Sequence, residues 1–368
     1  LKRSLDEMFC ELLRVALGLS QVFPYIPTDK EWQALYTMAH RQTLLGVAYN
    51  AIARLPKESQ PPRLLMLLWA RDAEAICGKN RLMNQESARY TQLFAERGFR
   101  SAILKGQANA RLYPDPFSRQ PGDIDIYVPG GYDKVLELLQ CLGIPNLEHL
   151  TPDYHDIEFV NEKGVLVEVH HKPTSATYAV RLNKTYDEIL KVLEPELENL
   201  TLTPEGFYSP SIRFALLMQL VHLYKHALLS GIGFRQYMDY YMLLTHSTEA
   251  DRQYTWEFVK KIGMRQGCAA IMGVLGRVFK LPEDKMLCKP SKLGCNVLYR
   301  ATFAEGDFGA KRTYKRNVNV FKRWFNDRVN NLCIFPVAPQ YCIYKESKYW
   351  INTISLIPER IRRRKIAL

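Results

Sequence analysis

The 368 residues are 47% hydrophobic and 24% charged, the balance of a folded globular chain and not of a disordered or low-complexity one. A formal net charge of +12 favours an anionic partner, whether a nucleotide, a polyphosphate or a nucleic acid, yet no aromatic-interleaved basic motif for nucleic acid accompanies it. The longest apolar stretch, 214–234, holds His222, Lys225, His226 and Gly233, and those polar groups make it a poor membrane span, so no membrane partner is expected.

Residues 1–98 predict helices. Leu5, Phe9, Leu12, Leu13 and Ala16 recur at helical spacing. Thr28-Asp29-Lys30-Glu31 predicts a capping box that opens a second helix running toward Leu55. Pro61-Pro62 restarts the chain, and a long helical pattern continues to about Glu96 and stops at Gly98. The pattern changes at Phe99. Residues 100–104 read as a short strand and 108–112 as a short helix, and the three prolines within 113–122 predict a loop. A strand at 123–128, a turn at Gly130-Gly131 and an amphipathic helix at 132–142 follow. Residues 156–160 and 165–170 predict a hairpin turning at Asn161-Glu162-Lys163-Gly164.

From about Ser211 helices return, at 212–229, 235–245, 256–262 and 266–279; beyond Cys288 scattered helices and a basic end are expected. The expected fold class is α+β, a small mixed β-sheet core flanked by N- and C-terminal helical regions. The expected divisions are a helical region at 1–98, an α/β core at 99–205, a helical region roofing a cleft at 206–290 and a basic region at 291–368. None of the eight cysteines forms a C-x-x-C pair, and no basic-then-apolar secretory signal opens the chain, which predicts reduced thiols and a cytoplasmic location.

Asp123 and Asp125 share one face of the strand at 123–128, leaving Ile124 and Ile126 to pack on the other. Two carboxylates that close repel by about 4 kcal/mol at an effective dielectric of 20. A divalent cation reverses that sign. In Val165-Leu166-Val167-Glu168-Val169-His170 the valines face one way, and Leu166, Glu168 and His170 the other. If the two strands are neighbours, Glu168 reaches the same cation; the rival reading is an edge strand with Glu168 in water.

Leu104-Lys105-Gly106 after a strand, then a helix, then Arg119-x-x-Gly122-Asp123-Ile124-Asp125 and Val167-Glu168-Val169-His170, resembles the polymerase-β-type nucleotidyltransferase superfamily. Within it the pattern is most similar to the uncharacterised bacterial nucleotidyltransferases, and it also resembles the nucleotidyltransferase toxins of abortive-infection systems. The resemblance implies transfer of an NMP group from an NTP, ATP among the candidates, to an acceptor hydroxyl with release of pyrophosphate. It implies Mg²⁺ or Mn²⁺ held by Asp123, Asp125 and Glu168. Gly106 would let the backbone approach the phosphates, and the helix after it would point its N-terminus at them. Lys105, Gln107 and Arg119 are candidate triphosphate contacts. Gln107 stands where the superfamily usually has Gly or Ser, and a catalytically silent nucleotide-binding or interaction module is the alternative it suggests. The acceptor is a small molecule, a protein side chain or an RNA end.

Gln219, His222 and His226 form one stripe of the helix at 212–229, and Arg235 and Asp239 fall at i and i+4 on the next. One reading makes this stripe the roof of the cleft, with Asp239 or His222 as base on the acceptor and Arg235 on phosphate. Two others remain open: core histidines bonded to polar neighbours, and a His222/His226 metal pair, although no H-E-x-x-H is present.

Overall fold

The computed structural model describes residues 4–145, 147, 155–174, 182–229, 231–305 and 320–356. Four helices open the chain: α1 (Leu5–Ala16), α2 (Asp29–Arg41), α3 (Leu45–Ile52) and α4 (Arg63–Ala95). The capping box forms: the Thr28 hydroxyl accepts the Glu31 N–H, and the Glu31 carboxylate accepts the Thr28 N–H at 2.7 Å. The expected single helix toward Leu55 is instead two. Thr43 takes a left-handed φ of 54°. Beside it the buried Gln42 side chain donates to the Thr302 carbonyl at 2.9 Å and accepts the Phe234 N–H at 3.0 Å. Tertiary hydrogen bonds thus overrule the local helical pattern.

A four-stranded mixed sheet follows, built from β1 (Ala102–Ile103), β2 (Ile124–Tyr127), β3 (Asp156–Val160) and β4 (Leu166–His170) in the order β1-β2-β4-β3. β2 and β4 run parallel, and the outer pairs are antiparallel. One face of the sheet is apolar: Ile124, Ile126, Ile157, Phe159, Val167 and Val169 share a buried cluster with Met83, Tyr90 and Phe94 of α4 and with Val135, Leu138 and Leu139 of α6 (Gly131–Cys141). The β3–β4 turn is tied down by Asn161, which accepts the Lys163 and Val165 N–H groups and donates to Glu86 on α4. A separate short hairpin joins β5 (Thr201–Leu202) to β6 (Tyr208–Ser209).

The remaining helices are α7 (Leu182–Glu196), α8 (Ile212–Leu229), α9 (Phe234–His246), α10 (Glu249–Lys261), α11 (Arg265–Phe279), α12 (Lys292–Glu305), α13 (Val320–Ile334) and α14 (Pro339–Ser355). Every residue of α8 from Phe214 to Val221 is buried, as expected of a helix apolar all round. The opening helices and the later ones share one core, in which Phe9, Phe234, Tyr299 and Phe303 meet ring to ring. α3 also presses on the turn Pro116–Ser118: a Cβ on Gly46 would collide with the Ser118 carbonyl, so a glycine permits the approach that seats the loop leading to Arg119. The architecture is α+β. Among the described residues no helix is long and apolar enough to cross a membrane.

Candidate active site

Parallel pairing of β2 with β4 sets Asp125 directly opposite Glu168. Side chains at paired register positions share a sheet face, so both carboxylates stand on the face away from the apolar cluster. Asp125 is 1% exposed, and Glu168 is partly buried. Lys105, in the turn after β1, brings its ammonium within 2.9 Å of Asp125 Oδ1. His170, two residues beyond Glu168 and on the same face, sets Nε2 at 3.1 Å from Asp125 Oδ1 and 3.5 Å from Glu168 Oε2. Asp125 Oδ2 is buried and accepts no hydrogen bond. A buried carboxylate oxygen with both lone pairs open is costly, and it fits a hard cation.

The charges follow from these distances. Burial alone would raise the pKa of Asp125, but Lys105 and then His170 hold it far below the carboxylate range. Burial opposes the charged form of His170 too, yet its bonds to Asp125 and Glu168 push it up to about 9, an imidazolium at neutral pH. Burial, with the nearby charges of Asp125 and Asp123 adding to it, pushes Glu168 up to about 7 against the His170 bond. Two cations of the chain itself therefore balance the acidic pair. Ligand atoms of Asp125, Glu168 and His170 lie within 4.8 Å of one another, the spread a metal ion needs. A second group, Asp156, Glu158 and Glu168, meets the same measure.

Lys105, Gly106, Arg119, Asp123, Asp125, Gln219, His222, Arg235 and Asp239, all singled out from the sequence, line one small cavity of about 40 Å³. Asp123 stands just before β2, partly buried on the cavity wall, outside the group of ligand atoms that includes Asp125. Gly106 takes φ 59°, ψ −106°, a backbone that favours glycine; a Cβ there would meet only the Asp123 carbonyl at 3.6 Å, so the demand is conformational. The helix after it, α5 (Gln107–Ala110), is a single turn and carries little dipole.

The Gln107 side chain, expected to offer hydrogen bonds to phosphate, instead turns onto α4. Its amide donates to Asn84 Oδ1 at 2.6 Å and to the Asn80 carbonyl at 3.4 Å. The larger residue at the Gly-or-Ser position therefore leaves the cavity clear.

Asp239 accepts three hydrogen bonds from two residues. Arg119 donates Nε to Oδ1 at 2.7 Å and Nη2 to Oδ2 at 2.8 Å, and the Tyr113 hydroxyl donates to Oδ1 at 2.7 Å. Arg119 Nη1 is buried without a hydrogen-bond partner. Asn80 on α4 donates to the Arg119 and Phe117 carbonyls, which anchors the proline loop. Arg235 Nη1 donates to the Gln120 carbonyl at 3.0 Å.

From α8, Gln219 and His222 reach the cavity, and the rings of His222 and His226 lie 4.2 Å apart. Burial first, then the charge of Lys105, pushes His222 well below the usual histidine range and His226 down to about 3, so both are neutral. Neither belongs to a group of three metal-ligating side chains among the described residues.

Sequence reasoning placed His170 beside Glu168 without giving it a role, and passed over Tyr113, Asp156 and Glu158. The strand alternation that exposed Glu168 already put His170 on the same face and was the available signal; nothing local marks Tyr113.

A family model described as uncharacterised nucleotidyltransferase matches residues 28–280, from the capping box of α2 through α11. No curated protein and no solved structure matches the chain. The match covers well over half of the sequence and takes in every residue of the cavity. The chain belongs to this family of uncharacterised nucleotidyltransferases, which supports a general role in nucleotidyl transfer.

Proposed function

We propose that the chain moves an NMP group from an NTP to an acceptor hydroxyl, with Asp125, Glu168 and Asp123 holding Mg²⁺ or Mn²⁺. The observation that carries this reading is the register that sets Asp125 beside Glu168 and leaves Asp125 Oδ2 unpaired. A cation held there would supply Lewis acidity, making the acceptor hydroxyl more acidic and offsetting charge at the α-phosphate. The acceptor oxygen bonds to the α-phosphorus, the bond to the β-phosphate oxygen breaks, and pyrophosphate leaves with that electron pair. His222 lines the cavity as a neutral imidazole and takes the hydroxyl proton. Asp239, already bonded to Arg119 and Tyr113, is assigned to fixing Arg119 and not to proton transfer. Arg119, through its unpaired Nη1, and Arg235 bind phosphate. Lys105, now 2.9 Å from Asp125, would pair with the triphosphate once a cation takes over the charge of Asp125. A cavity of about 40 Å³ is far smaller than a nucleotide, so this exchange accompanies opening of the cleft. Consumption of an NTP and eight free thiols fit a cytoplasmic setting.

The test is to supply each NTP labelled at the α- or the γ-phosphate, with Mg²⁺ and cell extract fractionated into small molecules, proteins and RNA. The α-label is expected in one fraction and the γ-label in pyrophosphate, both only with divalent metal. Transfer of the γ-label to the acceptor, or transfer unaffected by chelator, contradicts the proposal. The Lys105–Asp125 contact at 2.9 Å favours a second reading, a silent nucleotide-binding module in which Lys105 is a permanent counter-ion. That module would bind NTP without releasing pyrophosphate.

A further inference from the structure

Cys268 on α11 and Cys288, in the segment between α11 and α12, bring their sulfurs within 3.8 Å of each other. The fold makes that approach through the backbone. The Ser291 N–H donates to the Ala269 carbonyl at 2.9 Å, and the Leu287 N–H donates to the Met272 sulfur at 3.4 Å. Residues 287–291 are thereby laid along α11, with Cys288 across from Cys268. A disulfide needs about 2.05 Å between sulfurs, so closure takes a shift of about 2 Å. Cys288 lies in neither helix nor strand, so its segment can supply the shift while α11 stays in place. The loop that the bond would close is already closed by the fold, and little chain entropy remains to be lost.

The two thiols differ in access. Cys268 is fully buried, whereas Cys288 is half-buried and open to a small oxidant. They differ in charge as well. The Cys268 thiol lowers the pKa of Cys288, against the effect of burial, while the same contact and then burial push Cys268 well above the thiol range. Cys288 is therefore the sulfur that ionises first and meets the oxidant.

We propose that Cys268 and Cys288 form a peroxide-responsive dithiol, in which Cys288 is oxidised first and Cys268 resolves it as a disulfide. The Cys288 sulfur attacks one peroxide oxygen, the O–O bond breaks, and the other oxygen leaves with the electron pair and is protonated to water. Cys288 is then a sulfenic acid. The Cys268 sulfur attacks the Cys288 sulfur, the S–O bond breaks, and a second water leaves with the Cys268 proton. Two thiols have lost two electrons and two protons, and one hydrogen peroxide has become two waters. The bond ties the 281–291 segment to α11, which packs against α9. Tyr240 of α9, fully buried and with a hydroxyl that has no hydrogen-bond partner, lies within electrostatic reach of both sulfurs and directly follows Asp239. The link thus braces the helix that carries Arg235 and Asp239 into the cavity.

The test treats the full chain with graded hydrogen peroxide, alkylates the remaining thiols under denaturing conditions and maps the peptides by mass spectrometry. Cys141 and Cys333, both exposed, report the dose that ordinary surface thiols receive. A Cys268–Cys288 cross-linked peptide, released by dithiothreitol, is expected at doses about fivefold or more below those that oxidise Cys141. C268S is expected to stop at a Cys288 sulfenic acid captured by dimedone, and C288S to leave Cys268 unmodified. Thermal unfolding of both untreated variants checks that they are folded, and the oxidised unchanged chain is expected to melt a few degrees above the reduced one. Oxidation of Cys141 with no cross-linked peptide overturns the proposal. So does a link from either cysteine to a third, or to a second copy of the chain, and so does an oxidised chain that melts no higher than the reduced one. A C288S chain in which Cys268 is still oxidised at the same dose overturns the order of the two steps. None of these readouts depends on nucleotidyl transfer.

Discussion

Replacing Asp125 with Asn is expected to lower transfer of α-labelled nucleotide at least about a thousandfold, a loss of about 4 kcal/mol of transition-state stabilisation. The carboxylate offers a buried oxygen with no hydrogen-bond partner on the acidic face, so its charge is what the metal position needs. Glu168→Gln is expected in the same range, because the two residues are register partners on parallel strands. The chain should stay folded. Lys105 is partly exposed and keeps access to water, and His170 can lose its proton once the charge of Asp125 is gone. Asn preserves the shape of the side chain, so the unfolding free energy should fall by only about 1–3 kcal/mol. Urea unfolding with and without Mg²⁺ separates the two effects: metal stabilises the unchanged chain and not the variant. A variant that keeps a tenth of the activity would remove Asp125 from the metal position.

Asp239→Ala is expected to act mainly on stability, costing about 3–5 kcal/mol in urea unfolding, because it leaves a buried guanidinium without its carboxylate. The Arg119 and Asp239 side chains are only 6% and 2% exposed, so solvent does little to screen the loss. The Tyr113 hydroxyl loses its acceptor in the same step. Activity should fall through a higher KM for NTP, since Arg119 would no longer be held toward the phosphates. The double change Asp239→Leu/Arg119→Met should recover most of the stability and none of the affinity for NTP. If Asp239 is instead the base on the acceptor, Asp239→Asn will cut kcat while KM barely moves, and the role assigned to His222 passes to it.

Much of the acidic face was legible because strands alternate. Period-two spacing put Glu168 and His170 on one face before any coordinates, and the capping box at Thr28 and Glu31 was visible as a local motif. Four strand segments were expected and four strands form the sheet, although β2 begins at Ile124 and leaves Asp123 outside it. What sequence could not supply was long-range pairing. Whether β4 lies beside β2, and in which direction, depends on contacts between segments about forty residues apart, and local pattern carries no term for them. The Arg119–Asp239 clamp joins residues 120 positions apart, and each alone looks like an ordinary charged side chain. Gln107 looked like a residue facing phosphate because of its place in the motif, but its rotation onto Asn84 depends on α4 lying behind it. The break at Thr43 escaped for the same reason, since the bonds that hold Gln42 come from α9 and α12.

Diffraction from crystals grown with Mn²⁺ and a non-hydrolysable NTP, recorded at the manganese edge, bears most directly on the acidic pair. The expected result is an anomalous peak within about 2.1 Å of Asp125 Oδ2 and of a Glu168 carboxylate oxygen, with the Lys105 ammonium moved onto the phosphates. A nucleotide bound with Lys105 still 2.9 Å from Asp125 Oδ1, and no manganese between the two acids, would contradict the metal assignment outright.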